Sequence, residues 1–122
     1  MEHCDEDKWW GQELIVNCRA GNDAVCNAEK IQAFVDDLVN EIEMEKHGDA
    51  DICHFGTGHL AGFTLIQKIK TSSIVFHFCD ESKNFYGNIF SCKKFSTLSV
   101  RNCLLKHFQP KQIQELVLHR GV

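Results

Sequence analysis

Apolar positions along this chain recur at two different periods, and the changes of period mark its elements. Glu13-Leu14-Ile15-Val16-Asn17-Cys18 is short and β-rich and is closed by Ala20-Gly21-Asn22-Asp23, so it reads as a strand ended by a turn. Ile31, Phe34, Val35, Leu38, Val39 and Ile42 then repeat at the three- and four-residue spacing of an amphipathic helix, with Asn27 as its N-cap and Gly48 as its stop. Asp51 to Phe55 returns to strand character and leads through Gly56-Thr57-Gly58 into another β-rich run, Gly62 to Ile69. Ser73 to Cys79 and Phe85 to Cys92 read as two more strands, joined by the polar loop Asp80-Glu81-Ser82-Lys83-Asn84. Leu98, Val100, Cys103, Leu104 and Phe108 predict a second helix that ends before Pro110, and Ile113 to Leu118 a last strand.

The order β-α-β-β-β-β-α-β, with hairpins in the middle, predicts an antiparallel or mixed sheet carrying both helices on one face. The fold class is α/β (α+β), a two-layer sandwich. A length of 122 residues with 43% apolar content suits a single domain, residues 1–122, able to bury about two-thirds of its chain surface. Thirteen Lys and Arg against 17 Asp and Glu leave a net charge of −4 without a basic block, which argues against a nucleic-acid partner. Met1 to Lys8 is acidic and polar where a signal peptide would be basic and then apolar, and no run approaches the roughly 18 apolar residues of a membrane span. The expected location is therefore cytoplasmic, with no membrane partner. Seven cysteines, scattered and without a CxxC pair, are expected to be mostly reduced, buried small hydrophobes.

Candidate chemistry gathers on the central hairpin. If it closes symmetrically about residues 80–84, Cys79 faces Phe85 and Cys92 faces Ser72, which puts opposed Cα atoms within roughly 5.5 Å. Ser72 has a hydroxyl next to the Thr71 carbonyl, His77 brings an imidazole five residues on, and Cys92 a thiol twenty residues on. Such a hydroxyl can attack the preceding carbonyl to give an ester, and removal of the serine α-proton then expels the upstream chain. Loss of ammonia leaves a pyruvoyl group. An imidazole suits the proton removal, and a protonated thiol suits later return of a proton to carbon. The odd separation of Ser72 and His77 puts them on opposite faces of an ideal strand, so a bend at 70–73 is needed for them to meet.

This spacing resembles that of the S-adenosylmethionine decarboxylase family, in its short bacterial and archaeal pyruvoyl-dependent type, over the stretch from about Trp10-Gly11 to the end. The resemblance implies Ser72 as the processed serine, cleaved from Thr71 to give chains 1–71 and 72–122, and a pyruvoyl cofactor derived from Ser72. It implies His77 as the processing histidine, Thr64 as a second hydroxyl that assists, and Cys92, in Asn88-Ile89-Phe90-Ser91-Cys92, as the catalytic acid. Glu81 matches an acidic position near the substrate. The implied activity is decarboxylation of S-adenosylmethionine through a Schiff base, supplying the aminopropyl donor for spermidine synthesis, in a homodimer of cleaved protomers. Two departures stand out: Lys70-Thr71 precedes Ser72 where the family usually has glutamate, and Phe78-Cys79 follows the histidine in place of threonine and tryptophan. An arginine or ornithine decarboxylase, for which the acidic Asp80-Glu81 would suit a second cationic end, and a non-processing ligand-binding relative are the alternatives.

The remaining features carry less. His54 and His59 flank Gly56-Thr57-Gly58, but two histidines without a third ligand make a weak metal site. The glycine loop lacks the lysine and following helix of a P-loop and reads as an active-site wall, with Phe55 available to stack on an adenine. Trp9 and Trp10 are candidate core anchors or dimer contacts.

Overall fold

A computed structural model describes residues 10–122, so the acidic N-terminal stretch, Cys4 and Trp9 lie outside the described residues. The strands are β1 (Gly11–Arg19), β2 (Asp51–Phe55), β3 (Gly62–Ile69), β4 (Ser72–Phe78), β5 (Phe85–Ser91) and β6 (Gln112–Arg120), and the helices are α1 (Ala28–Glu41) and α2 (Thr97–Phe108). The strands form one sheet in the order β2-β3-β4-β5-β1-β6, antiparallel at every pairing. The expected two-layer sandwich is present, with its sheet antiparallel throughout. Two short 3-10 turns, Asp23–Cys26 and Gly58–Leu60, fall where only turns and loops were read.

Both helices start as their sequences dictate. The Asn27 side chain accepts the Lys30 N–H at 3.0 Å, and that of Ser96 accepts the Ser99 N–H at 3.1 Å. Helix α1 stops at Glu41 and not at Gly48. Glu43 adopts a left-handed φ of 57°, and the Glu43 and Met44 N–H groups donate back to Asn40 O and Val39 O. This Schellman closure satisfies the orphan carbonyls without glycine and turns the chain early, because Ile42 is still needed in the core. Helix α2 ends at Gln109, left-handed at φ 47°, directly before Pro110.

The face of the sheet under the helices is a phenylalanine seam. Phe34 of α1 meets Phe76 edge-on at 5.2 Å, and Phe108 of α2 lies 5.3 Å from Phe78 and 5.1 Å from Phe85. Phe34, Phe76, Phe85 and Phe108 are fully buried. Phe78 and Phe85 are cross-strand partners, which corrects the expected pairing of Cys79 with Phe85 by one residue. The cause is parity. Ile74, Phe76 and Phe78 must share a face with Phe85 and Ile89, and a one-residue slip would turn all three toward water. The corrected register also sets Phe76 opposite Gly87, where a Cβ would come within 2.2 Å of the ring.

A polar clasp joins the two helices. Asp37 of α1 receives hydrogen bonds from His107 Nε2 at 2.7 Å and Lys106 Nζ at 3.1 Å, both on α2. The His107 contact first, and then Lys106, hold the Asp37 carboxyl below its ordinary value. A lowered carboxylate contributes stability above its unfolded pKa of about 3.9, and this is lost as pH falls through the folded value. Asp37→Asn should lower stability by about 1 kcal/mol at neutral pH. Its difference in unfolding midpoint from the native chain should then close below about pH 4; a gap that persists unchanged at pH 3 would exclude the clasp as an acid-sensitive contact.

Candidate active site

The candidate residues fall at the two ends of the β3–β4 hairpin. At one end, strands β3 and β4 are joined by the two-residue turn Lys70-Thr71, with Ile69 paired to Ser72. Ser72 pairs with Ser91, so it is Thr71, and not Ser72, that stands beside Cys92. The Thr71 Oγ1 lies 2.8 Å from Cys92 Sγ and donates to its own preceding carbonyl, Lys70 O, at 2.5 Å. The Ser72 Oγ is buried and has no hydrogen-bond partner.

Cys92 is held from its own side of the sheet. Ser91 Oγ accepts the Lys93 N–H at 3.0 Å and bends the chain out of β5. The buried Gln12 amide exchanges hydrogen bonds with the Phe95 backbone, donating at 3.2 Å and accepting at 3.3 Å, which anchors the next turn. A cavity of about 780 Å³ opens beside this cluster, between the α1–β2 connection and the β5–α2 connection. Its walls include Met44, Glu45, Lys70, Thr71, Cys92 and Lys93. Lys70 is ion-paired to Glu45 at 3.0 Å, and Lys93 Nζ donates to Glu43 O at 3.0 Å.

The other end carries Thr64, His77, Phe55 and Glu81. Thr64 and His77 are cross-strand partners, with Oγ1 3.2 Å from Nδ1. Both face away from the helices, alongside Cys53 of β2 and Tyr86 of β5 in the same row. Phe55 is exposed at the end of β2, one step along from Thr64, and Glu81 is exposed in the loop after β4. No bend interrupts β4 between Ser72 and Phe78; the only turn is at residues 70–71. Ser72 and His77 therefore lie on opposite faces, five residues and roughly 17 Å apart along the strand. The constellation expected from spacing is two pairs, Thr71 with Cys92 and Thr64 with His77.

Other expected features are redistributed. His54 is engaged by Asp80, Nε2 to Oδ2 at 2.7 Å, so that half of the acidic Asp80-Glu81 pair is spent on a protein contact. Among the described residues no three His, Cys, Asp or Glu side chains gather as a metal site. The cysteines are less buried than expected. Among the described cysteines only Cys18 and Cys103 are in the core, where burial pushes their thiols up to about 12 and about 11, while Cys26 and Cys53 are exposed and Cys79 and Cys92 half-buried. Trp10 is no core anchor. It is 54% exposed and stacks on Phe90 at 5.5 Å on the helix-free face of the sheet.

With the fold and both pairs placed, comparison with known proteins identifies the lineage. A model of the S-adenosylmethionine decarboxylase family matches residues 12–121. The chain belongs to that family. The crystal structure of the adenosylmethionine decarboxylase from Aquifex aeolicus VF5 superposes with a TM-score of 0.80 at 18% identity, covering 94% of this chain and 93% of that one. Curated proteins yield no match. In this decarboxylase-family chain no described helix is long and apolar enough to cross a membrane. Residue types alone did not announce Thr71 as the neighbour of Cys92. The alternation of Ile74, Phe76 and Phe78 against Phe85 and Ile89 was the signal that could have found it.

Proposed function

We propose that this chain is a self-processing, pyruvoyl-dependent decarboxylase acting on S-adenosylmethionine, cut between Thr71 and Ser72, and contributing to spermidine synthesis. Membership of the family supports the reaction class, and one local observation carries the processing site. Ser72 presents a buried hydroxyl without a hydrogen-bond partner, immediately after a turn residue that has positive φ and itself contacts the Cys92 thiol. Conversion of Ser72 to a pyruvoyl group, in which Cβ becomes a methyl, Cα becomes the ketone and Oγ leaves with the upstream chain, would forfeit no side-chain hydrogen bond, so the residues present fit the group. Once formed, a pyruvoyl carbonyl supplies an electron sink for loss of CO2 from a bound amino acid.

The chain's own residues then have separate tasks. Cys92, in contact with the Thr71 hydroxyl, is the proton source at the strand end. Thr64 and His77 form the polar pair of the helix-free face, with Phe55 beside them as an aromatic surface for an adenine. For His77 to serve Ser72 during processing, the first residues of β4 must leave the sheet. The cavity by Cys92 is walled by Lys70, Lys93 and Lys94 against Glu43 and Glu45, which favours a substrate carboxylate over the second cationic end of arginine or ornithine.

A second copy of the chain is the proposed partner. The helix-free face exposes Trp10, Ile66, Leu116 and Leu118, a surface that two protomers would bury against each other in the cytoplasm. Sedimentation at micromolar concentration should give a species of twice the protomer mass, and a monomer there would remove the dimer. Ser72→Ala should give a whole, inactive protein whose stability stays within about 1 kcal/mol of the uncut native chain, because the lost hydroxyl had no partner. Intact mass decides it: fragments from Ser72→Ala would disqualify the site. Cys92→Ala should still be cut yet lose at least about a hundredfold in turnover of S-adenosylmethionine, and unchanged turnover would take the thiol out of the reaction.

A further inference from the structure

We propose that Thr71 is a positioning residue that strains the backbone at the bond to Ser72, so that release of this strain speeds self-cleavage; the inference rests on the reading of Ser72 given above. Thr71 has φ +59° and is the second residue of the two-residue turn between β3 and β4. That position ordinarily takes glycine or asparagine, and a β-branched residue there is a genuine outlier. The other non-glycine residues with positive φ among those described are Ala20, Glu43, Lys83 and Gln109. Glu43 and Gln109 close helices, and none of the four is β-branched. The turn also has positive φ only at its second residue, whereas the two-residue turns that match the twist of a hairpin have it at the first or at both.

The strain cannot relax locally, because the turn is held on every side. Ile69 and Ser72 are paired across its base, and Ser72 is paired again to Ser91 on β5. Lys70 is fixed through its N–H to Glu45 O at 3.2 Å and through its ammonium to the Glu45 carboxylate. The Thr71 hydroxyl is clamped between Lys70 O and Cys92 Sγ. A left-handed residue persists only where its surroundings over-determine it, and these contacts do so. Cleavage of the Thr71–Ser72 peptide makes Thr71 a chain end, free to rotate back to negative φ. The acyl shift, elimination and hydrolysis at Ser72 are unchanged; Thr71 alters only the free energy of the uncut chain relative to the states that follow.

Glycine and valine at position 71 separate backbone strain from the hydroxyl, since both lack the oxygen and only valine keeps the branched Cβ. Cell-free synthesis of the full chain, sampled over time by intact mass, gives the rate at which fragment 1–71 appears. Thr71→Gly should cleave about tenfold more slowly than Thr71→Val. In uncut Ser72→Ala backgrounds the glycine chain should unfold about 3 °C higher than the valine chain. Equal cleavage rates for the two variants, with the native chain cut at Thr71–Ser72, would overturn the inference and leave the reading of Ser72 standing. A native chain that stays whole over the same time course removes that reading and this inference with it.

Discussion

The contact between Phe78 and Phe85, closed from above by Phe108, governs the geometry of everything that follows along the hairpin. Rings on neighbouring antiparallel strands can share a buried face only in registers of one parity. Once Phe78 and Phe85 are opposed, counting along β4 and β5 sets Phe76 over Gly87, Ile74 by Ile89, Ser72 by Ser91 and Thr71 by Cys92. The placement of a thiol beside a hydroxyl at the strand end is thus a consequence of burying aromatic surface roughly 20 Å away along the strand. Phe34, which touches both Phe76 and Phe108, passes the same constraint to α1 and so to the connection that walls the cavity.

The two faces of the sheet divide the labour. Beneath the helices its fully buried polar residues among those described are Gln12, Gln67 and Ser91, and Gln12 and Ser91 hold the chain as it leaves β5. The open face carries Thr64, His77 and Tyr86 in one row and Trp10 stacked on Phe90 further along. A substrate that met both pairs would have to span much of β4, or the strand end would have to shift once the turn at residues 70–71 is opened.

Legibility followed the strength of the local signal. Helix α1 was readable because its apolar stripe has a single period, but its stop was not, since Glu43 adopts a conformation usually left to glycine. All six strands were read, with β6 extending two residues past Leu118 and β1 beginning two before Glu13. The family resemblance named Thr64 and His77 separately; their contact comes from the β3–β4 register. Pairing Cys92 with Ser72 failed by one residue because loop length is a poor gauge of register: Cys79 bonds to Asn84 and Lys83 and belongs to the loop, not the strand.

By itself the sequence determined the element order, the two helices with the cap of the first, the core residues and the kinship, because each of these rests on residue types at short and regular spacing. The tertiary structure alone decided which side chains meet. Register, the left-handed turn at Thr71, the clamp on Cys92 and the separation of His77 from Ser72 depend on contacts between residues distant in the chain. Such contacts are selected by the shared burial of the phenylalanine seam, of which the sequence shows only the alternation of Ile74, Phe76 and Phe78 against Phe85 and Ile89.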